Sequence, residues 1–192
     1  HWPGDPECRI TRVNKMEEGA VCNLTHLSMS AHTGTHMDAP RHFVADGLTM
    51  DRMPLEPVIG RCRVVELDVE DQITADDLKD LRLLPGQRLL FKTRNSTRSW
   101  AMSEFDKDFI SIRADAAQLL VDLKIMTVGV DYLSIGGYGK DVVETHQIML
   151  GAGMWVIEGL NLADIKPGYY DLICLPLKIA GADGAPCRAV LR

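Results

Sequence analysis

Apolar and polar residues alternate from Asn23 to Ala31, with Leu27, Met29 and Ala31 on one parity and His26, Ser28 and Ser30 on the other. A period of two marks a strand, because successive side chains of an extended chain leave opposite faces. Arg61 to Val69 repeats the pattern with Val65, Leu67 and Val69 on one face. Gln87 to Thr93, Met126 to Val130 and Met154 to Leu160 are apolar runs of strand length. Between them the period changes. Ser111 to Ile125 spaces Ala117, Leu120, Val121 and Lys124 as the two faces of a helix. Thr74 with Asp77 three residues on has the form of a capping box, and Asp141 can cap a helix that Gly151 and Gly153 end near Leu150. Strands alternating with helices predict an α/β domain.

The last quarter holds an apolar strand from Tyr169 to Ile179, whose Pro176 marks an edge or bulge. A turn follows at Ala182 to Pro186, then a short strand from Cys187 to Leu191. Val44 to Pro57, with Gly47, Pro54 and Pro57, reads as a covering loop. Arg94 to Ser103, carrying Trp100, is polar and reads either as a solvated connection or as a substrate contact. Ile135 to Gly139 lacks the spacing and lysine of a phosphate-binding loop and reads as a turn.

A chain of 192 residues suffices for one core, so a single domain over 1–192 is expected. No apolar run is long enough to span a bilayer. A net charge of -6 gives no basic face for nucleic acid, which leaves small molecules as expected partners. Cys8, Cys22, Cys62, Cys174 and Cys187 are odd in number and dispersed, which points to a reducing compartment, the cytoplasm.

Chemistry concentrates between His32 and His42, where three histidines and Asp38 share one segment with Gly34 and Pro40. Glycine and proline oppose a helix, so the segment is expected to be extended, with His32, His36 and Asp38 on one side. Straight, it would set the first two alpha carbons about 13 Å apart, near the limit for sharing one metal, so a bend at Gly34 is expected. Glu158 follows Trp155, Val156 and Ile157 directly, and a carboxylate in such surroundings needs a cation, either a basic side chain or a metal. His146 lies on the preceding helix.

His32, His36, His146, Asp38 and Glu158, with no cysteine nearby, suit zinc or manganese. Five side chains exceed the needs of one catalytic ion with an open position, so two divalent ions bridged by Asp38 and Glu158 are expected. His42 is left over, either as general base and acid or as a further ligand. His26 is too far along the chain and reads as structural. Trp2 serves either core packing or a pocket wall.

The run from His32 to Phe43 resembles the His-x-Gly-Thr-His-x-Asp-x-Pro-x-His-Phe signature of the cyclase family, which includes kynurenine formamidase and isatin hydrolase. The likeness extends to Trp-Pro-Gly-Asp at Trp2, to Thr145-His146 with Glu158, and to the segment from Pro167 to Lys178. It implies a mixed, barrel-like sheet flanked by helices and assembly as a homodimer or homotetramer. It also implies a first metal on His32, His36 and Asp38, a second on Asp38 and His146, and Glu158 on both. His42 would be the proton shuttle and Trp2 a wall of the substrate pocket. The implied reaction is attack of metal-bound hydroxide on a small aryl amide, such as N-formylkynurenine in tryptophan breakdown. A manganese-dependent, isatin-type lactam opening is the alternative, and a metal-containing binding protein without turnover is a third reading. The family's first strand normally precedes Trp-Pro-Gly-Asp and is expected to be missing here.

Overall fold

In the computed structural model, which describes residues 1–192, the strands are β1 (Arg9–Asn14), β2 (Leu24–Ser28), β3 (His36–Asp38), β4 (Ile59–Glu66), β5 (Gln72–Ile73), β6 (Arg88–Lys92), β7 (Ser111–Ile112), β8 (Thr127–Val130), β9 (Trp155–Glu158), β10 (Gly168–Pro176) and β11 (Gly184–Leu191). Three helices join them: α1 (Ala75–Leu78), α2 (Ala114–Asp122) and α3 (Val142–Gly151). Seven strands close into a barrel in the order β10-β11-β3-β9-β8-β6-β4, while β1 pairs with β2, and β5 with β7, outside it. The parallel neighbours β4, β6, β8 and β9 are those separated in sequence by α1, α2 and α3, because a parallel pair needs a crossover. The other barrel pairs are antiparallel.

Strand alternation splits the core in two. Met37, Val64, Leu90, Trp155, Ile157, Leu172 and Ala185, from six strands, meet inside the barrel. Their neighbours Val65, Leu89, Phe91, Val128 and Val156 point outward and are covered by Leu78 of α1, Leu120 of α2 and Met149 of α3. This confirms the expected α/β class with a mixed, barrel-like sheet flanked by helices. No helix is long and apolar enough to cross a membrane.

Local departures from the sequence reading have local causes. The helix expected from Ser111 starts at Ala114, since Ser111 and Ile112 pair with Gln72 and Ile73 instead. Asp141 precedes α3 but does not cap it. Its carboxylate accepts from Gln72 Nε2 at 2.8 Å and from the Ala114 N–H at 2.9 Å, so it serves the start of α2. The Thr74–Asp77 capping box is present, on a helix of only four residues. Pro176 ends β10 where β4, whose pairing stops at Ile173, no longer runs beside it, so it occupies a local edge. The strand β1 carried no alternation that would have announced it, and all six of its residues are exposed.

Candidate metal centre

The segment from His32 to His42 is extended only over β3. His32 to Thr35 form a turn, with Gly34 at φ 66°, and Pro40–His42 form a short 3-10 helix. The bend expected at Gly34 is therefore present, in the left-handed region that glycine enters without strain. Gly159 answers it across the gap: its φ is 72°, and a Cβ there would lie 2.2 Å from the Gly34 carbonyl oxygen. Two backbones meet at this point with no room for a side chain.

Strand parity places the donors. Met37 points into the barrel, so His36 and Asp38 emerge on the outer face, and the register sets His36 opposite Glu158 of β9. Helix α3 lies over them and contributes His146. Its Nε2 is 3.3 Å from Glu158 Oε1 and 3.6 Å from Asp38 Oδ2. His32 reaches back from its turn, with Nδ1 2.9 Å from Asp38 Oδ1. The five residues read from the sequence are thus brought together, and four of them, His36, Asp38, His146 and Glu158, are almost wholly buried.

The tautomers carry the argument for a cation. His36 Nδ1 donates to the Gly34 carbonyl at 2.9 Å and His146 Nδ1 donates to the Val142 carbonyl at 2.5 Å. Each Nε2 is left as a lone pair facing carboxylate oxygens, which are also acceptors. His36 Nε2 and Asp38 Oδ2 are buried without a hydrogen-bond partner. Such a set needs added positive charge, protons or metal ions, and a backbone carbonyl orienting each ring is the usual support of a metal-ligating histidine. The donor set fits divalent zinc or manganese. Ligating atoms of His36, Asp38 and Glu158 lie within 4.8 Å of one another, as do those of His32, Asp38 and His42, so Asp38 belongs to both groups.

With protons as the only cations, the titration follows the same geometry. Burial lowers the His32 pKa, but the hydrogen bond and charge of Asp38 overcome it and raise the value to about 9. His36 is likewise raised against burial by Asp38 and Glu158, and His146 by Glu158. Burial raises Asp38 and Glu158, yet the facing histidines hold both carboxyls below their ordinary values. His42 behaves oppositely: burial prevails and lowers it.

Asp183 is the residue that sequence reading missed. Its Oδ2 lies 3.0 Å from His32 Nε2 and 3.2 Å from His42 Nδ1, and the two imidazoles stack with centroids 3.9 Å apart. It sits in the turn before β11, where an aspartate beside glycine signals only a turn. Its carbonyl accepts the Ala39 N–H at 2.9 Å, which fixes that turn against the motif.

His32, His36, His42, His146, Glu158 and Asp183 open into one cavity of about 410 Å³, with Asp38 buried behind them, and its other walls include Trp2, Phe43, Leu133 and Val142. Trp2 fills both roles considered for it: it lines the cavity and packs edge-on against Phe105 at 5.2 Å. Trp100 does not line it. Its Nε1 donates to the carbonyls of Asp131 and Leu160, both at 3.0 Å, so this side chain ties two loops together. His26 is exposed on β2, outside the cavity. The turn at 135–139 supplies the Ile135 N–H, which donates to Glu158 Oε1 at 2.7 Å.

Comparison with known proteins gives consistent results. The Cyclase family model matches residues 1–136. Kynurenine formamidase of Erythrobacter litoralis is 35% identical over 192 residues, covering 100% of this chain and 87% of that protein. A solved structure described as a potential metal-dependent hydrolase with cyclase activity is 37% identical, with a TM-score of 0.86 over 100% of this chain and 90% of its own. Isatin hydrolase A from Labrenzia aggregata, at 24% identity, shares the fold, with a TM-score of 0.81 over 98% of this chain and 85% of its own. The family model spans most of the chain, including the segment from His32 to Phe43, and the formamidase match spans all of it: the chain belongs to the cyclase family of metal-dependent hydrolases.

Proposed function

We propose that the protein hydrolyses the C–N bond of a small aryl amide or lactam, with N-formylkynurenine as the first candidate substrate. The observation that carries this reading is the cluster of buried, proton-poor donors with a further imidazole, His42, held beside it by Asp183. Likeness to kynurenine formamidase supports the substrate class. His32, His36, Asp38, His146 and Glu158 would hold two divalent ions, zinc or manganese. Bound there, the ions supply a Lewis acid for the carbonyl oxygen and bring the pKa of a water down to about 7.

The chain's own residues supply the rest. His42, kept neutral by burial, accepts a proton from the attacking water and returns it to the leaving nitrogen. Asp183 takes the Nδ1 hydrogen of His42, which leaves Nε2 free for that exchange and fixes the ring. Trp2 and Phe43 offer aromatic faces for the aryl group, and Leu133 and Val142 keep water from that side of the cavity. We place this activity in the cytoplasm, in a single-domain chain working as a homodimer or homotetramer. Apolar residues left exposed on the barrel, such as Ile173, Leu175 and Val190, favour assembly.

The test is hydrolysis of N-formylkynurenine, and separately of isatin, by protein loaded with zinc or with manganese, against a chelated control. Chelator-sensitive release of formate supports the formamidase reading, and ring opening of isatin alone replaces it with the lactam reading. Folded, metal-loaded protein inactive on both would remove hydrolysis of these classes and leave a binding role.

A further inference from the structure

We propose that Cys174 and Cys187 are a reversible disulfide pair, closed by a hydroperoxide, inside the barrel wall behind the metal centre. Cys174 lies on β10 opposite Ala189, and Cys187 on β11 opposite Pro176, so the two are diagonal neighbours across one antiparallel ladder. Both side chains face the barrel interior, and their sulfurs are 3.4 Å apart, with Cys174 donating its S–H to Cys187. All five cysteines are free thiols. The ladder holds this pair at contact distance, so closing the bond, at about 2.05 Å between sulfurs, needs small side-chain rotations rather than movement of the strands.

Access is one-sided. Cys174 is fully buried, whereas Cys187 is partly exposed and lines a second cavity of about 310 Å³, walled mainly by apolar side chains such as Leu90, Leu160 and Leu191, with Thr35, Asn161 and Arg188 beside them. A small, uncharged peroxide is an oxidant that such a cavity admits, and Cys187 is the sulfur it meets. The sulfur of Cys187 attacks one peroxide oxygen and the O–O bond breaks. This gives a sulfenic acid at Cys187, while the other oxygen leaves as water or an alcohol after taking up the thiol proton. The Cys174 sulfur then attacks that of Cys187, the S–O bond breaks, and hydroxide leaves with the Cys174 proton as water. The two thiols have lost two electrons and the peroxide has gained them.

The placement gives the pair a consequence at the candidate metal centre. The Cys187 N–H donates to the Thr35 carbonyl at 3.0 Å, and the preceding Pro186 stands opposite His36 in the ladder. A closed bond would tie β10 to β11 beside a strand that carries two donors.

The experiment uses full-length, zinc-loaded protein carrying Cys8→Ser and Cys22→Ser, which removes the two exposed thiols. Equimolar hydrogen peroxide is expected to lower the intact mass by two hydrogens, reversed by dithiothreitol, with peptide mapping joining Cys174 to Cys187. With Cys174→Ser added, dimedone should instead label Cys187. If the double variant does not fold, differential alkylation of the unsubstituted protein reads the same pair. Oxygen added to Cys187 without a cross-link while Cys174 is present, a cross-link to Cys62, or no reaction in folded protein would each overturn the proposal.

Discussion

Stripped of metal, the protein should lose stability as pH rises from 6.5 to about 9, the window set by His32. Its ring is held between Asp38 and Asp183, and burial, which opposes the charge, is outweighed. A group with a higher pKa folded than unfolded binds its proton more tightly in the fold. Its contribution is therefore complete below the unfolded value and lost as pH passes through the folded one. From 6.5 to about 9, at about 1.4 kcal/mol per pH unit, the contribution comes to about 3 kcal/mol. For a chain of this size that is a fall of roughly 6–12 °C in melting temperature. His36 and His146 are raised as well and act with the same sign. His42 is lowered and acts with the opposite sign, but below its ordinary value and so outside the window. The assay is thermal denaturation of chelated protein, followed by circular dichroism in pH steps across the window, beside His32→Gln, which should show a shallower slope, with His36 and His146 supplying what remains. With metal bound the trend reverses, because ions and protons compete for the same nitrogens. A flat or rising trend in the chelated protein, or an unchanged slope in His32→Gln, would refute the reasoning.

Four substitutions probe other parts of the molecule. His42→Ala should lower kcat by about 10²- to 10⁴-fold while metal content, read by atomic emission, stays as before; loss of an ion would make His42 a ligand instead. Asp183→Asn should lower kcat at least about tenfold, since positioned acid–base groups contribute factors of that order and more, and should shift the acid limb of the pH profile with little change in KM; an unchanged limb would leave Asp183 a structural residue. Gly159→Ala should cost about 2–4 kcal/mol in denaturant unfolding, through the 2.2 Å clash with Gly34 and a strained φ. Alanine at Gly86, also at positive φ but with nothing within 4 Å, should cost no more than about 1–2 kcal/mol.

The parts of the site legible in the sequence were those set by short spacing and chemistry. His36 and Asp38 straddle Met37 on a strand, and Glu158 stands out as a charge in an apolar run, so parity and desolvation sufficed to pick them. His42 was left over by ligand counting, and its place beside the five, with Nδ1 on Asp183, rests on a hydrogen bond that no spacing encodes. Asp183 could not be read, since it lies 151 positions from His32 and becomes a partner only because β11 pairs with β3. Barrel closure was legible only through family resemblance: alternation gives faces but not neighbours, and β3 has three residues to show. The exposed ribbon of β1 and β2 shows the limit of hydrophobic patterning, because neither of its faces is buried and no burial signal marks β1.

Most of the donors and most of the pocket walls come from different parts of the architecture, His32 in its turn and Val142 on α3 being the exceptions. His36, Asp38, Glu158 and His146 stand on two barrel strands and a packed helix, each holding a ladder or a core contact as well as its place in the cluster. Trp2, Phe43, Leu133 and Ser134, which face the same space, stand on connecting segments outside every strand and α-helix. Exchanging a donor disturbs the fold, whereas exchanging a wall residue disturbs a loop. Drift in such a lineage should accordingly run along the loops, letting the range of molecules accepted diversify while the reactive machinery stays fixed.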